Sequence, residues 1–256
     1  MGGVSRRAPL AEIMNIPDKT SIRRAVVLAA GRGKRMGEIT TGTPKAMLDV
    51  RGRPMLEHVL NGLADVGIES FFLVVGYRRE MIEEHFRNWR LPIEFRVQEP
   101  VDGTGSATRL AREFAGDEPF LLTYGDIICE PQAYVRCDRE MAEHPTAAAV
   151  IGVRDVDDPW QGAAVYEQGG RVSRVIEKPP RGTSTTRWNS AGLDALRPAA
   201  FSYLDRLRPS ARNEYEITTI FEMMLDENVE VRISPMEGLW RDVGRPEDLA
   251  ALNRKS

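Results

Sequence analysis

The residues most able to do chemistry come directly after the apolar run Ala25-Val26-Val27-Leu28. There the chain places Gly31-Arg32-Gly33-Lys34-Arg35 and, ten positions beyond Arg35, Pro44-Lys45. Glycines free backbone N–H groups to face an anion, and Arg35 and Lys45 add full positive charges on either side of them. That combination suits a triphosphate, whose oxygens need local N–H donors and whose net charge needs cations. Two common phosphate loops do not match. A dinucleotide fingerprint requires G-x-G-x-x-G opening a helix, whereas Gly31, Gly33 and Gly37 are spaced G-x-G-x-x-x-G and the following "EITTGTPKAMLDV" reads as a loop. A Walker loop ends in Gly-Lys-Ser/Thr, and Gly33-Lys34-Arg35 does not. Taken alone, the segment is equally a tight turn with incidental basic residues.

The elements that must position this loop follow from the apolar pattern. Short apolar runs at 25–30, 71–76 and 119–126 read as buried strands, and 93–98 alternates as a strand. Between them, 53–67 carries Met55, Leu56, Val59, Leu60, Leu63 and Val66 on one helical stripe, and 78–89 and 105–115 are helical. Strands alternating with helices indicate a parallel, doubly wound sheet. After about residue 145 the pattern changes. Strands at 146–153, 162–167 and 171–178 follow closely, the last two joined through Gln168-Gly169-Gly170. Helices at 198–207 and 216–225, a strand at 229–234 and a helix from Pro246 complete the chain. The expected architecture is α/β: a Rossmann-like mixed sheet in one domain over 23–256 with an inserted mixed-sheet portion. Residues 1–22, mixed and without periodicity, are expected to be a flexible extension.

Composition narrows the function classes. The formal charge of −3 gives no electrostatic footprint for nucleic acid or a membrane surface. No apolar run reaches the length of a membrane span, and the first residues lack a signal-peptide core, so a cytoplasmic location is expected. Cys129 and Cys137 are too few for a structural zinc site, and His58, His85 and His144 form no triad or metal-ligand pattern.

Later segments decide between the readings of the loop. "LAAGRGKRMGEITTGTPKAMLDV" (28–50) resembles the signature of the sugar-1-phosphate nucleotidylyltransferases, the NDP-sugar pyrophosphorylases. In family order there follow "VQEPVDGTGSA" (97–107), "YGDIIC" (124–129), "VIEKPP" (175–180), "NSAGLDAL" (189–196), "NEYEITTIFEMML" (213–225) and "GLWRDVGRPEDLAALN" (238–253). The chain departs from many relatives at Gly37-Glu38-Ile39, at Tyr124 and in the lengthened loop 183–187.

The resemblance implies a nucleotide-diphospho-sugar transferase fold with a sugar-binding portion. It implies transfer of a nucleoside monophosphate, UTP or dTTP being favoured donors, to a sugar 1-phosphate. Nucleotide contacts would come from Leu28, Ala29, Ala30, Gly31, Gly33, Lys34, Gln98, Gly103 and Thr104. Arg35, Lys45, Asp126, Lys178 and Asp242 would be catalytic, with Asp126 and Asp242 holding Mg²⁺. Gly162, Glu177, Asn189 and Trp240 would contact the sugar. A homo-oligomer is compatible with this reading. The competing expectations are a cytidylyltransferase acting on a polyol, inositol or choline phosphate, an NAD- or FAD-dependent oxidoreductase, and a non-catalytic nucleotide-binding relative.

Overall fold

The computed structural model describes residues 19–254. The first half runs β1 (Arg24–Leu28), two short 3-10 turns, the small hairpin β2 (Asp49–Val50) and β3 (Arg53–Pro54), and α1 (Met55–Asp65). It continues through β4 (Ser70–Val75), α2 (Arg79–His85), β5 (Ile93–Val97), α3 (Thr104–Arg109), α4 (Arg112–Ala115), β6 (Phe120–Tyr124), β7 (Ile127–Cys129) and α5 (Pro131–Glu143). The second half is β8 (Ala149–Asp155), β9 (Ala163–Gln168), β10 (Arg171–Glu177), β11 (Trp188–Leu196), α6 (Ala200–Leu204), α7 (Thr218–Asp226), β12 (Val231–Pro235), β13 (Trp240–Asp242) and α8 (Pro246–Asn253).

One nine-stranded sheet holds the molecule together, in the order β5-β4-β1-β6-β11-β8-β12-β10-β9. β5, β4, β1 and β6 are mutually parallel, as their helical crossovers require. β11 runs antiparallel between β6 and β8, so the later strands extend the same sheet. Strand residues alternate between two cores. Val26 and Leu28 face α3, α6 and α7, while Ala25 and Val27 face α1, α2 and α5. Burial on both faces explains why these strands read as continuous apolar runs.

The hairpin β9–β10 turns at Gly169-Gly170, as the sequence indicates. The helix expected at 105–115 is two helices broken at Leu110-Ala111. The sequence pattern assigns no element to 131–143 or 188–196, which form α5 and the long strand β11. In α5 the buried face of Ala133, Tyr134, Cys137 and Met141 also carries Asp138, which interrupts the apolar stripe. That carboxylate accepts from Ser21 N at 2.8 Å, Ser21 Oγ at 2.7 Å and Ile22 N at 2.9 Å. The N-terminal end of the expected extension, residues 1–18, lies outside the described residues. Among the described residues, no helix is long and apolar enough to cross a membrane.

Candidate active site

The carboxyl ends of parallel strands are where ligands bind in open α/β sheets, and three of the candidate segments leave from there. β1 runs into Ala29-Ala30-Gly31, β5 into Gln98, and β6 into Gly125-Asp126. They surround a cavity of about 560 Å³. Of the residues singled out from sequence for the nucleotide, Leu28, Ala29, Ala30, Gly31, Gln98, Gly103 and Thr104 line it. So do Arg35, Lys45, Asp126 and Lys178 from the expected catalytic set.

The glycine loop divides its work. Among the described residues, the backbone N–H groups of 30–33 have no acceptor, the condition for an anion cradle. A Cβ added at Gly31 would meet nothing within 4 Å, so that residue faces open space. Gly33 is different: it has φ +71, and a Cβ there would lie 2.8 Å from Lys45 Cβ. It is absent from the cavity wall and makes room for the lysine. Lys34 is exposed and also lies outside the wall. The chain then enters a 3-10 turn kinked at Gly37, in place of the α-helix that a dinucleotide fingerprint would open.

Two distant carboxylates are joined by a short antiparallel ladder. β13 pairs with β7 so that Asp242 lies opposite Ile127, and Val243 N donates to the Asp126 carbonyl at 3.1 Å. Between the carboxylates sits the buried Lys45, its Nζ donating to Asp126 Oδ2 and lying 3.7 Å from Asp242 Oδ1. Burial, with the Asp126 charge second, raises the Asp242 pKa from its ordinary value, while Lys45 and Arg35 oppose the rise. The pair therefore attracts a cation, and in this chain an ammonium already answers. Two carboxylates from separate segments also fit Mg²⁺, which takes its remaining ligands from waters and phosphate oxygens.

On the β5 side of the cavity, Gln98 is buried and its Nε2 donates to the Gly103 carbonyl at 2.8 Å and to Ser106 Oγ at 2.9 Å. The close approach that Gly103 permits is to the chain itself. A Cβ there would lie 2.4 Å from the Tyr215 carbonyl oxygen. Thr104 Oγ1 accepts from Ile217 N at 3.0 Å, so the start of α3 is docked on the late segment 215–217.

The expected sugar residues are less gathered. Lys178 follows β10 in a left-handed conformation (φ 43), and its N–H donates to the Gly162 carbonyl at 2.7 Å. Neighbouring Glu177 is held by Thr218 Oγ1 at 3.0 Å and Arg212 Nη2 at 3.2 Å. Burial and the nearby Glu216 raise its pKa. Asn189 packs on Gly162, where a Cβ would come within 2.3 Å of Asn189 Oδ1. That oxygen is buried and has no hydrogen-bond partner. Trp240 donates its indole N–H to the Ala191 carbonyl at 2.9 Å, with Arg154 over its ring at 4.5 Å. Gly162, Glu177, Asn189, Trp240 and Asp242 are not in the cavity wall. Sequence reasoning did not single out Val101, Tyr124 and Glu214, which are, or Arg212 behind Glu177. Glu214 was signalled only by the acidic cluster in "NEYE".

The nucleotidyl transferase family model matches residues 24–256. The chain belongs to that family. It is 32% identical over 228 residues to the UTP–glucose-1-phosphate uridylyltransferase AglF of Haloferax volcanii, covering 88% of this chain and 93% of that protein. It is 34% identical over 231 residues to the bifunctional protein GlmU of Methanococcus aeolicus, covering 90% of this chain and 53% of the relative. It thus spans about half the length of the GlmU relatives it matches. Among solved structures, one described as a glucose-1-phosphate thymidylyltransferase from Bacillus anthracis superposes with a TM-score of 0.79 at 27% identity, over 90% of this chain and 93% of that one. A UDP-glucose pyrophosphorylase complexed with UDP-glucose shares the fold, with a TM-score of 0.83 at 20% identity over 91% and 97% of the chains. The expected mixed α/β fold of this family is the one observed.

Proposed function

We propose that this chain transfers a nucleoside monophosphate from UTP or dTTP to a sugar 1-phosphate, releasing pyrophosphate. The observation that carries the reading is the convergence on one cavity of free backbone N–H groups, Arg35, Lys178 and a lysine held between two aspartates. The named activities of the AglF relative and of the Bacillus anthracis structure support it.

A sugar-phosphate oxygen attacks the α-phosphorus, a new P–O bond forms, the α–β bond breaks, and the electron pair leaves on pyrophosphate. The nucleophile is already anionic near neutral pH, since the second phosphate pKa is about 6. No general base is needed, which suits a cavity wall without histidine. The difficulty is bringing two polyanions together, and positioning and electrostatics answer it. The N–H groups of Ala30 and Gly31, with Arg35, hold the triphosphate and take up charge on the leaving pyrophosphate. Lys45 meets the α-phosphate once drawn from the carboxylates, and Lys178 clamps the sugar phosphate. Asn189 Oδ1, unpartnered beside Gly162, accepts from a sugar hydroxyl, and Glu177 binds another. Trp240 braces the strand that carries Asn189. Asp126 and Asp242 would hold Mg²⁺, which would supply positive charge against the phosphates. A cytoplasmic setting, where triphosphates are made, fits this chemistry.

Pyrophosphate release across UTP, dTTP, CTP, GTP and ATP against a panel of sugar and polyol phosphates tests the reading. Release requiring both a pyrimidine triphosphate and a sugar 1-phosphate is expected. Release only with CTP and a polyol phosphate would move the chain to the cytidylyltransferase class. Binding of NAD(H) with no binding of any triphosphate would overturn the reading altogether.

A further inference from the structure

Gln98 stands in an enclosure of acceptors. Its Nε2 donates to the Gly103 carbonyl and to Ser106 Oγ, and Asp102 Oδ1 lies 3.4 Å from the same nitrogen. Ser106 Oγ has Asp102 Oδ1 and the Gly103 carbonyl, at 2.9 Å, as acceptors for its one hydrogen, and either bond leaves a lone pair for the amide. A backbone carbonyl and a carboxylate cannot donate. Turning the amide over would set its oxygen against both of them, so only one orientation is satisfied. The amide oxygen is then the atom left for a ligand, and no described residue donates to it. The N–H groups of Ala30 and Gly103, residues of the same cavity wall, have no acceptor among the described residues.

An acceptor in a wall that also offers free N–H donors suits an N–H with carbonyls on either side, the imide edge of uracil and thymine. Cytosine offers an acceptor at N3 in the same place. We propose that Asp102 and Ser106 are positioning residues that set base choice, holding the Gln98 amide oxygen toward the nucleotide and so selecting imide pyrimidines over cytosine. This rests on the cavity being the nucleotide site. The sequence signal is an Asp and a Ser four residues apart, on either side of the Gly-Thr-Gly turn.

The test compares the full chain with Ser106→Ala, Asp102→Asn and Ser106→Thr. Calorimetric binding of UTP, dTTP and CTP is measured alongside kcat/KM for each with a sugar 1-phosphate. Ser106→Ala lowers the UTP-to-CTP ratio about fivefold, the equilibrium equivalent of one ordinary hydrogen bond. The change falls in binding and KM, with kcat at saturating UTP retained. Asp102→Asn moves the ratio in the same direction, and Ser106→Thr, which keeps the hydroxyl, preserves it. A loss of folding stability alone would lower the values for all three nucleotides together. Ratios within about twofold of wild type in both folded Ser106→Ala and Asp102→Asn overturn the relay and leave the transferase reading standing. Absence of triphosphate binding in the wild-type chain overturns the transferase reading and the relay with it.

Discussion

The end of the site proposed for the phosphates and the end proposed for the sugar are built differently. At the first, unpaired backbone N–H groups and Arg35 stand at one cavity, with Lys45 held there between two aspartates. At the sugar end most of the named side chains are already engaged by other parts of the chain. Glu177 is gripped by Arg212 and Thr218, and Trp240 by Ala191 and Arg154. Only Lys178 of that group reaches the cavity wall. A triphosphate offers the same charged oxygens in every nucleotide, so a loop with little side-chain structure suffices. A sugar is distinguished by the direction of neutral hydroxyls, which requires acceptors fixed from several strands.

That contrast can be broken or sharpened by substitution, beginning at the phosphate end. Asp126→Ala and Asp242→Ala should each lower turnover by at least about 10²–10³, the scale of losing one preorganised electrostatic contact. Pyrophosphate release checks this, and near-normal turnover in either variant would remove that aspartate from the chemistry. Lys45→Met should reduce turnover on the order of 10². In the absence of nucleotide, its affinity for Mn²⁺ read by electron paramagnetic resonance should rise on the order of tenfold, because the competing ammonium is gone. An unchanged or weaker Mn²⁺ affinity would mean that the lysine does not hold the cation's place.

The sugar end should respond more mildly. Arg212→Ala removes no lining residue and loosens Glu177, so KM for the sugar phosphate should rise about fivefold with kcat nearly kept. Arg212 opposes the burial that raises the Glu177 pKa, and its removal lets that pKa climb further. The acid limb of the kcat/KM profile for the sugar phosphate should therefore move to higher pH.

The smallest effect on activity is expected at Asp194 on β11, where the two ends of the sheet meet. Burial raises its pKa to about 8, and its Oδ1 has no partner. The folded state keeps this proton while the unfolded chain releases it above the ordinary carboxylate range. Its stabilising contribution is therefore present at acid pH and lost as pH rises toward 8. Asp194→Asn cannot ionise, so its stability relative to wild type should grow from pH 4 to pH 8, on the order of 1 kcal/mol per pH unit. Denaturant titrations at several pH values measure it, and a constant difference would show that Asp194 is ionised in the folded protein.

The same division governs what was legible in the sequence. Gly31, Arg35 and Lys45 lie within fifteen residues, so their shared chemistry could be read from spacing. Asp126 could be placed because it follows an apolar strand whose carboxyl end is a binding position, and Gln98 because 97–107 resembles a family segment. Long-range contacts could not be read. Nothing local in Gly33 says that it clears space for Lys45, or in Gly103 that it lies against Tyr215. Helix α5 was hidden because Asp138 on its buried face answers Ser21 and Ile22, more than a hundred positions earlier. Trp240 looked like a sugar contact in its motif, and only the register of β13 shows its indole N–H committed to Ala191.

The central claim is that this cavity joins a sugar phosphate to the α-phosphorus of a nucleotide, with Asp126 required. Phosphorus NMR of the chain with UTP, glucose 1-phosphate and Mg²⁺ tests it most directly. The account predicts that the monoester signal of the sugar phosphate is replaced by a paired diphosphate signal as free pyrophosphate appears, and that Asp126→Ala leaves the spectrum unchanged. Pyrophosphate or phosphate appearing at the same rate without any sugar phosphate, while the monoester signal persists, would contradict it.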